Sequence, residues 1–135
     1  MADMNKSLAG AALAGIAAVA VWAGVSAQST APLIVEVAEP RLSEAAAEGK
    51  TLFDTNCAAC HGASGSGSDQ GPPLIHRIYV SSHHGDMSFY MAVRQGTPAH
   101  HWSFGDMPAQ PQVSPGDIPA IILYIREVQA ENGIR

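Results

Sequence analysis

The sequence predicts a small all-α domain of three to five helices, and three observations carry that reading. Ile118, Ile121, Ile122 and Ile125 recur at three- and four-residue spacing, which puts them on one face of a helix. A second helical stretch starts at Ser43, a good N-cap, and runs straight into Cys57-Ala58-Ala59-Cys60-His61. The β-rich run Leu33-Ile34-Val35-Glu36-Val37 is bracketed by Pro32 and Pro40, so no convincing strand precedes Cys57.

Residues 1–27 form a polar start with Lys6, an uncharged Ala/Gly-rich run and then Val25-Ser26-Ala27, a small-x-small signal-peptidase pattern. The apolar run is shorter than the roughly 20 residues of a membrane-spanning helix. It reads as a cleaved secretory signal, with a mature chain from near Gln28. The rival is an uncleaved signal-anchor, and Asp3 offsets Lys6 too evenly to separate the two. Residues 28–41 read as an extended leader, an ordered arm or linker. Residues 42–135 read as one domain.

Within that domain the first helix spans residues 43–56. Glu44 and Glu48 suit the positive end of its dipole. Gly49 costs such a helix about 1 kcal/mol unless another backbone must come close. Phe53 falls four residues on, on the same face. Residues 61–71 are Gly/Ser-rich, a flexible linker anywhere else and here a surface loop. A middle helix over residues 87–95 ends at Gly96. The last helix is expected to start at Asp117, because a start at Ser114 would bury Pro119 too deep in the helix. It ends near Ala130, with Gly133 just beyond.

Cys57-Ala58-Ala59-Cys60-His61 is a C-x-x-C-H motif, the attachment signature of a c-type haem. Two cysteines three apart on one helical turn can each add to one vinyl group of a single porphyrin. The following histidine then offers its imidazole to the iron. These are the chain's two cysteines, so none is left for a disulfide. A thioredoxin-like site wants a βαβ context that is missing here. A zinc site wants two more ligands, for which His83 and His84 stand available. Export agrees with haem, since bacteria attach it outside the cytoplasmic membrane. The expected place is the periplasm, or the membrane surface facing it if the N-terminal segment is retained. The formal charge of −5 argues against a nucleic-acid partner and for a redox partner with a basic or largely uncharged face.

The order helix, haem motif, loop, helix, Met-Pro, helix resembles a class I c-type cytochrome from about residue 43 to 130. Gly71-Pro72-Pro73-Leu74 and residues 99–108 are similar to patterns in small bacterial monohaem members, including cytochrome-like subunits of terminal-oxidase systems. The resemblance implies one haem c, covalently bound through Cys57 and Cys60, with His61 as proximal ligand. It implies that the Pro72 carbonyl accepts from the other ring nitrogen of His61 and that Leu74 packs on the porphyrin. It makes Met107, in Asp106-Met107-Pro108, the distal ligand. It also implies contact between Gly49 or Phe53 and Tyr124.

His/Met ligation favours Fe(II) and one-electron transfer. The expected role is a non-enzymatic electron carrier, taking electrons from a quinol-oxidising complex or dehydrogenase. It passes them to an oxidase, reductase or copper protein. The alternatives are a haem subunit of a membrane-bound oxidoreductase, or a haem sensor or enzyme with an exchangeable sixth ligand. Three rivals to Met107 stay open: Met87 and Met91, which read as helix packing; His100 or His101; and a vacant sixth position. Trp102 reads as a pocket wall, with or without an N–H bond to a propionate. Tyr79 and Tyr90 are further pocket candidates. His76 and the pairs His83/His84 and His100/His101 read as polar side chains facing solvent, or as hydrogen-bond partners of haem propionates and loop carbonyls. The sharper readings are a second metal site for copper or zinc, or a pH-sensitive docking surface.

Overall fold

In the computed structural model, which describes residues 33–135, Ser43 opens the first helix, α1 (Glu44–Asn56). The Ser43 hydroxyl accepts from the Ala46 amide at 3.3 Å, and Glu44 sits in the first turn. The expected signal or anchor, residues 1–27, and the start of the leader lie outside the described residues. The rest of the leader forms neither helix nor strand. It is nonetheless an ordered arm. Val35 donates its amide to Ser66 O, and Ala38 exchanges two bonds with the Asn132 side chain. Val35, Val37 and Leu42 pack against the core.

α1 buries Ala46, Gly49 and Phe53, a three-then-four spacing that defines one face. That face crosses the last helix, α4 (Ile118–Glu131). A Cβ on Gly49 would lie 1.9 Å from the Ala120 carbonyl oxygen, so glycine lets the two backbones touch. One turn further on, the Phe53 and Tyr124 rings meet at 5.4 Å. α4 buries Ile118, Ile121, Ile122, Tyr124, Ile125 and Val128. Full burial of each such side chain contributes roughly 1.5–3 kcal/mol. Its start follows from proline chemistry: Pro119 falls in the first turn, where no amide donor is needed. Asp117 is the N-cap residue, but its side chain makes no capping bond. The helix closes at Gly133, whose φ of 76° lets the Ile134 amide reach back to Gln129 O at 2.8 Å.

α1 kinks at Cys57, and the short α2 (Ala58–His61) follows at once. Cys57 O accepts from the amides of both Cys60 and His61, so the motif occupies one helical turn. The Gly/Ser stretch after it departs from the expected surface loop. Ser64, Gly65 and Gly67 are buried, and the chain turns through a short 3-10 segment, Ala63–Gly65. Gly67 donates to His61 O, while Leu74 and Ile75 both donate to Gly65 O. Small residues serve here because the loop folds tightly back on the motif. A Cβ on Gly62 would sit 2.1 Å from Gly67 O.

A second 3-10 turn, Arg77–Tyr79, leads to α3 (Asp86–Gln95), which ends at Gly96 as its sequence implies. Met87 and Met91 do not pack in the core as their spacing suggested. Met87 is 67% exposed and Met91 39%, because α3 turns Val93 inward instead. No strand occurs among the described residues. A single bridge pairs Thr97 with Met107. The architecture of the described residues is all-α, with four α-helices. No described helix is long and apolar enough to cross a membrane.

Candidate functional site

The inner faces of α1, α3 and α4 enclose a cavity of about 430 Å³. Phe53, Leu74, Val93, Ile121, Ile122 and Ile125 give it apolar walls. His61 reaches it from α2 and is 9% exposed. Its Nδ1 lies 2.9 Å from the Pro72 carbonyl oxygen. A carbonyl only accepts, so Nδ1 carries the proton and Nε2 keeps a free lone pair. Burial lowers the basicity of His61, outweighing the opposite pull of the Pro72 carbonyl. The ring is thereby held neutral, the form that ligates a metal.

Met107 comes to the same cavity from the loop before α4. Its backbone is fixed by two bonds with Thr97, each 2.9 Å. Gly96 permits this approach, since a Cβ there would lie 2.5 Å from Met107 O. Pro72, Leu74 and Trp102 also line the cavity. Cys57 lines it, while Cys60 is exposed and lies outside the lining. Burial, with a smaller push from Cys60, raises the Cys57 thiol to about 11.

The Trp102 indole N–H donates to Tyr79 Oη at 3.1 Å, so this bond is made within the protein. Burial raises the Tyr79 pKa, and the Trp102 bond partly offsets that. Tyr79 lines the cavity, but Tyr90 does not, and so drops from the pocket candidates. Phe89, Ala92 and Val93 also line it and were not anticipated. Their spacing, with Gly96 one turn on, is a helical stripe that was readable in the sequence. Met91 lines the cavity as well.

The two histidine pairs, far apart in sequence, meet at this cavity. His83, His84, His100 and His101 all line it. Their rings stack edge-on and face-on at 4.3–5.8 Å between centroids. The basicity of His101 is lowered, by loss of solvent and by its three neighbouring imidazoles.

A neutral imidazole, a thioether and an apolar cavity beside a C-x-x-C-H turn define a haem-binding helical domain, and the residues present fit a covalently attached haem. The sequence profile of the family described as Cytochrome c matches residues 46–129. The chain belongs to that family, which binds haem c covalently and serves haem-based electron transfer. A search of the curated proteins found no match.

Proposed function

We propose that the chain is a single-haem, one-electron carrier whose iron is held between His61 and Met107. The observation that carries this reading is the convergence of these two side chains on one apolar cavity, each fixed through backbone bonds. Haem, when bound, supplies the redox couple. The protein's residues do the rest. Cys57 and Cys60 hold the porphyrin covalently. The Pro72 carbonyl keeps the His61 tautomer that presents Nε2. The thioether of Met107 favours Fe(II) and closes the site to exogenous ligands. The apolar walls exclude water and lower solvent reorganisation when the charge changes.

The working compartment is the periplasm, free or tethered by residues 1–27. The donor is a quinol-oxidising complex or dehydrogenase, and the acceptor an oxidase, reductase or copper protein. The formal charge of −5 supports partners with a basic or largely uncharged docking face.

Absorption spectra of oxidised and reduced holoprotein, with Met107→Ala alongside, test the ligation. The wild type is expected to show the weak long-wavelength band of Met-ligated ferric haem and to resist carbon monoxide. The variant loses the band and binds carbon monoxide. His100 and His101 also line the cavity, so a wild type without the band that stays closed to carbon monoxide would assign the second ligand to one of them. A wild type that already binds carbon monoxide would indicate a sensor or enzyme.

A further inference from the structure

Two histidine pairs on separate loops meet with their ring nitrogens facing each other, and in one pair, His84 and His100, the tautomers leave two lone pairs opposed. One ligand atom from each of His83, His84 and His101 lies within 4.8 Å of the others. His83 Nε2 and His101 Nε2 are 3.3 Å apart, and His84 Nε2 and His100 Nε2 are 3.5 Å apart. Metal–nitrogen bonds of 2.0–2.1 Å in a tetrahedral site place two ligand nitrogens about 3.3–3.4 Å apart. The His83–His101 separation matches that edge and the His84–His100 separation lies just beyond it, while His84 approaches His83 and His101 to within 4.8 Å, so closing the site on an ion needs a small inward shift of His84.

The tautomers point the same way. His84 Nδ1 lies 2.8 Å from Ile78 O, and His100 Nδ1 lies 2.8 Å from Pro98 O. Both carbonyls only accept, so both rings carry their proton on Nδ1. Each Nε2 is then a bare lone pair, and the two lone pairs face each other at 3.5 Å. Neutral rings so held cannot hydrogen-bond to one another through these atoms. A cation between them removes the repulsion. A carbonyl on Nδ1 is also the partner that metal-ligating histidines usually have.

The cluster is supported from behind. Arg126 on α4 donates to His84 O at 2.5 Å, to Tyr79 O at 2.8 Å and to Asp86 Oδ1 at 2.8 Å. The opposite loop is pinned where the Ala99 amide donates to Asp106 Oδ1 at 2.8 Å. The ligand-bearing loops are thus largely preorganised, which lowers the ordering cost of binding.

We propose that His83, His84 and His101 bind a second metal ion of the imidazole-preferring class, Zn²⁺ or copper, at the rim of the haem cavity, with His100 the nearest candidate for a fourth ligand. The ion is separate from the haem iron, and the site does not depend on Met107 being the iron ligand.

The test titrates haem-loaded protein with zinc sulfate by calorimetry and counts bound metal by mass spectrometry. One equivalent with a Kd of about 1 µM or tighter is expected. His101→Ala is expected to weaken it at least about 100-fold, the upper range for loss of a mere supporting partner. The Cu²⁺-loaded wild type, read by electron paramagnetic resonance, is expected to show nitrogen hyperfine structure from imidazole. This arm does not rely on a variant folding. Weaker zinc binding, an unchanged Kd in His101→Ala, or copper without nitrogen coupling would each overturn the proposal. Zinc-free His101→Ala is also exposed to carbon monoxide: new binding would make His101 an iron ligand and remove it from the second site, whereas loss of Met ligation is read in Met107→Ala.

Discussion

Replacing Gly49 by alanine sets two effects of opposite sign against each other. Helix propensity favours alanine by about 0.8–1.0 kcal/mol in a helix interior. The crossing with α4 opposes it. The new Cβ would lie 1.9 Å from Ala120 O and 2.5 Å from Ala120 C, and both are backbone atoms that no rotamer change can move. Restoring ordinary contact means parting the helices by more than an ångström along the seam that holds Phe53 against Tyr124. Overpacking that forces backbone shifts costs typically about 1–3 kcal/mol, and a clash between two backbones belongs at the upper end. Less about 1 kcal/mol of propensity, we expect a net loss of about 2 kcal/mol, or a fall in Tm of roughly 8–16 °C for a domain of this size. Thermal unfolding of the holoprotein, followed by circular dichroism, measures it. Ala47→Gly, on the exposed face of the same helix, serves as the propensity control and should cost about 1 kcal/mol. A Gly49→Ala protein as stable as wild type, or more so, would show that α1 and α4 do not touch at this point.

Two further substitutions test how the pocket is held. Gly96→Ala places a Cβ 2.5 Å from Met107 O at a φ of 76°, so it should displace the Met107 loop. A weakened Met-ligation band with new carbon monoxide binding is the expected spectral result, and an unchanged spectrum would uncouple Gly96 from the ligand. Gln129 is buried, donates to Leu74 O at 2.9 Å and accepts from Arg126. Gln129→Ala orphans the Leu74 carbonyl and should cost about 1–3 kcal/mol in urea unfolding at an unchanged m-value.

The helices were legible because their signals are local. The cap at Ser43, the isoleucine stripe of α4 and the first-turn proline all act within one or two turns. The contact between Gly49 and α4 was legible for a different reason: a helical glycine is costly unless a partner requires it. The Gly/Ser loop was misread because composition reports chain freedom, whereas Gly62, Gly65 and Gly67 are held at positive φ by their packing. Met87 and Met91 were misread because an i, i+4 pair marks a face without saying which way the face points. The meeting of His83/His84 with His100/His101 is invisible in sequence. It depends on where two loops land after α3 and α4 have docked.

α4 performs two tasks with two faces, and this explains why a long-range polar network sits beside an apolar pocket. Ile121, Ile122 and Ile125 wall the cavity. Around the helix, Arg126 and Gln129 reach the carbonyls of Leu74, Tyr79 and His84, all in the segment between the haem motif and α3. That segment has little regular structure, and its carbonyls would otherwise be short of donors. A planar guanidinium spreads five donors over three nitrogens and so reaches groups that lysine's three donors on one nitrogen could not span. The helix that shapes the pocket therefore also fixes the loop carrying Leu74, Tyr79 and two of the clustered histidines. Pocket geometry and histidine placement are consequences of the same helix docking.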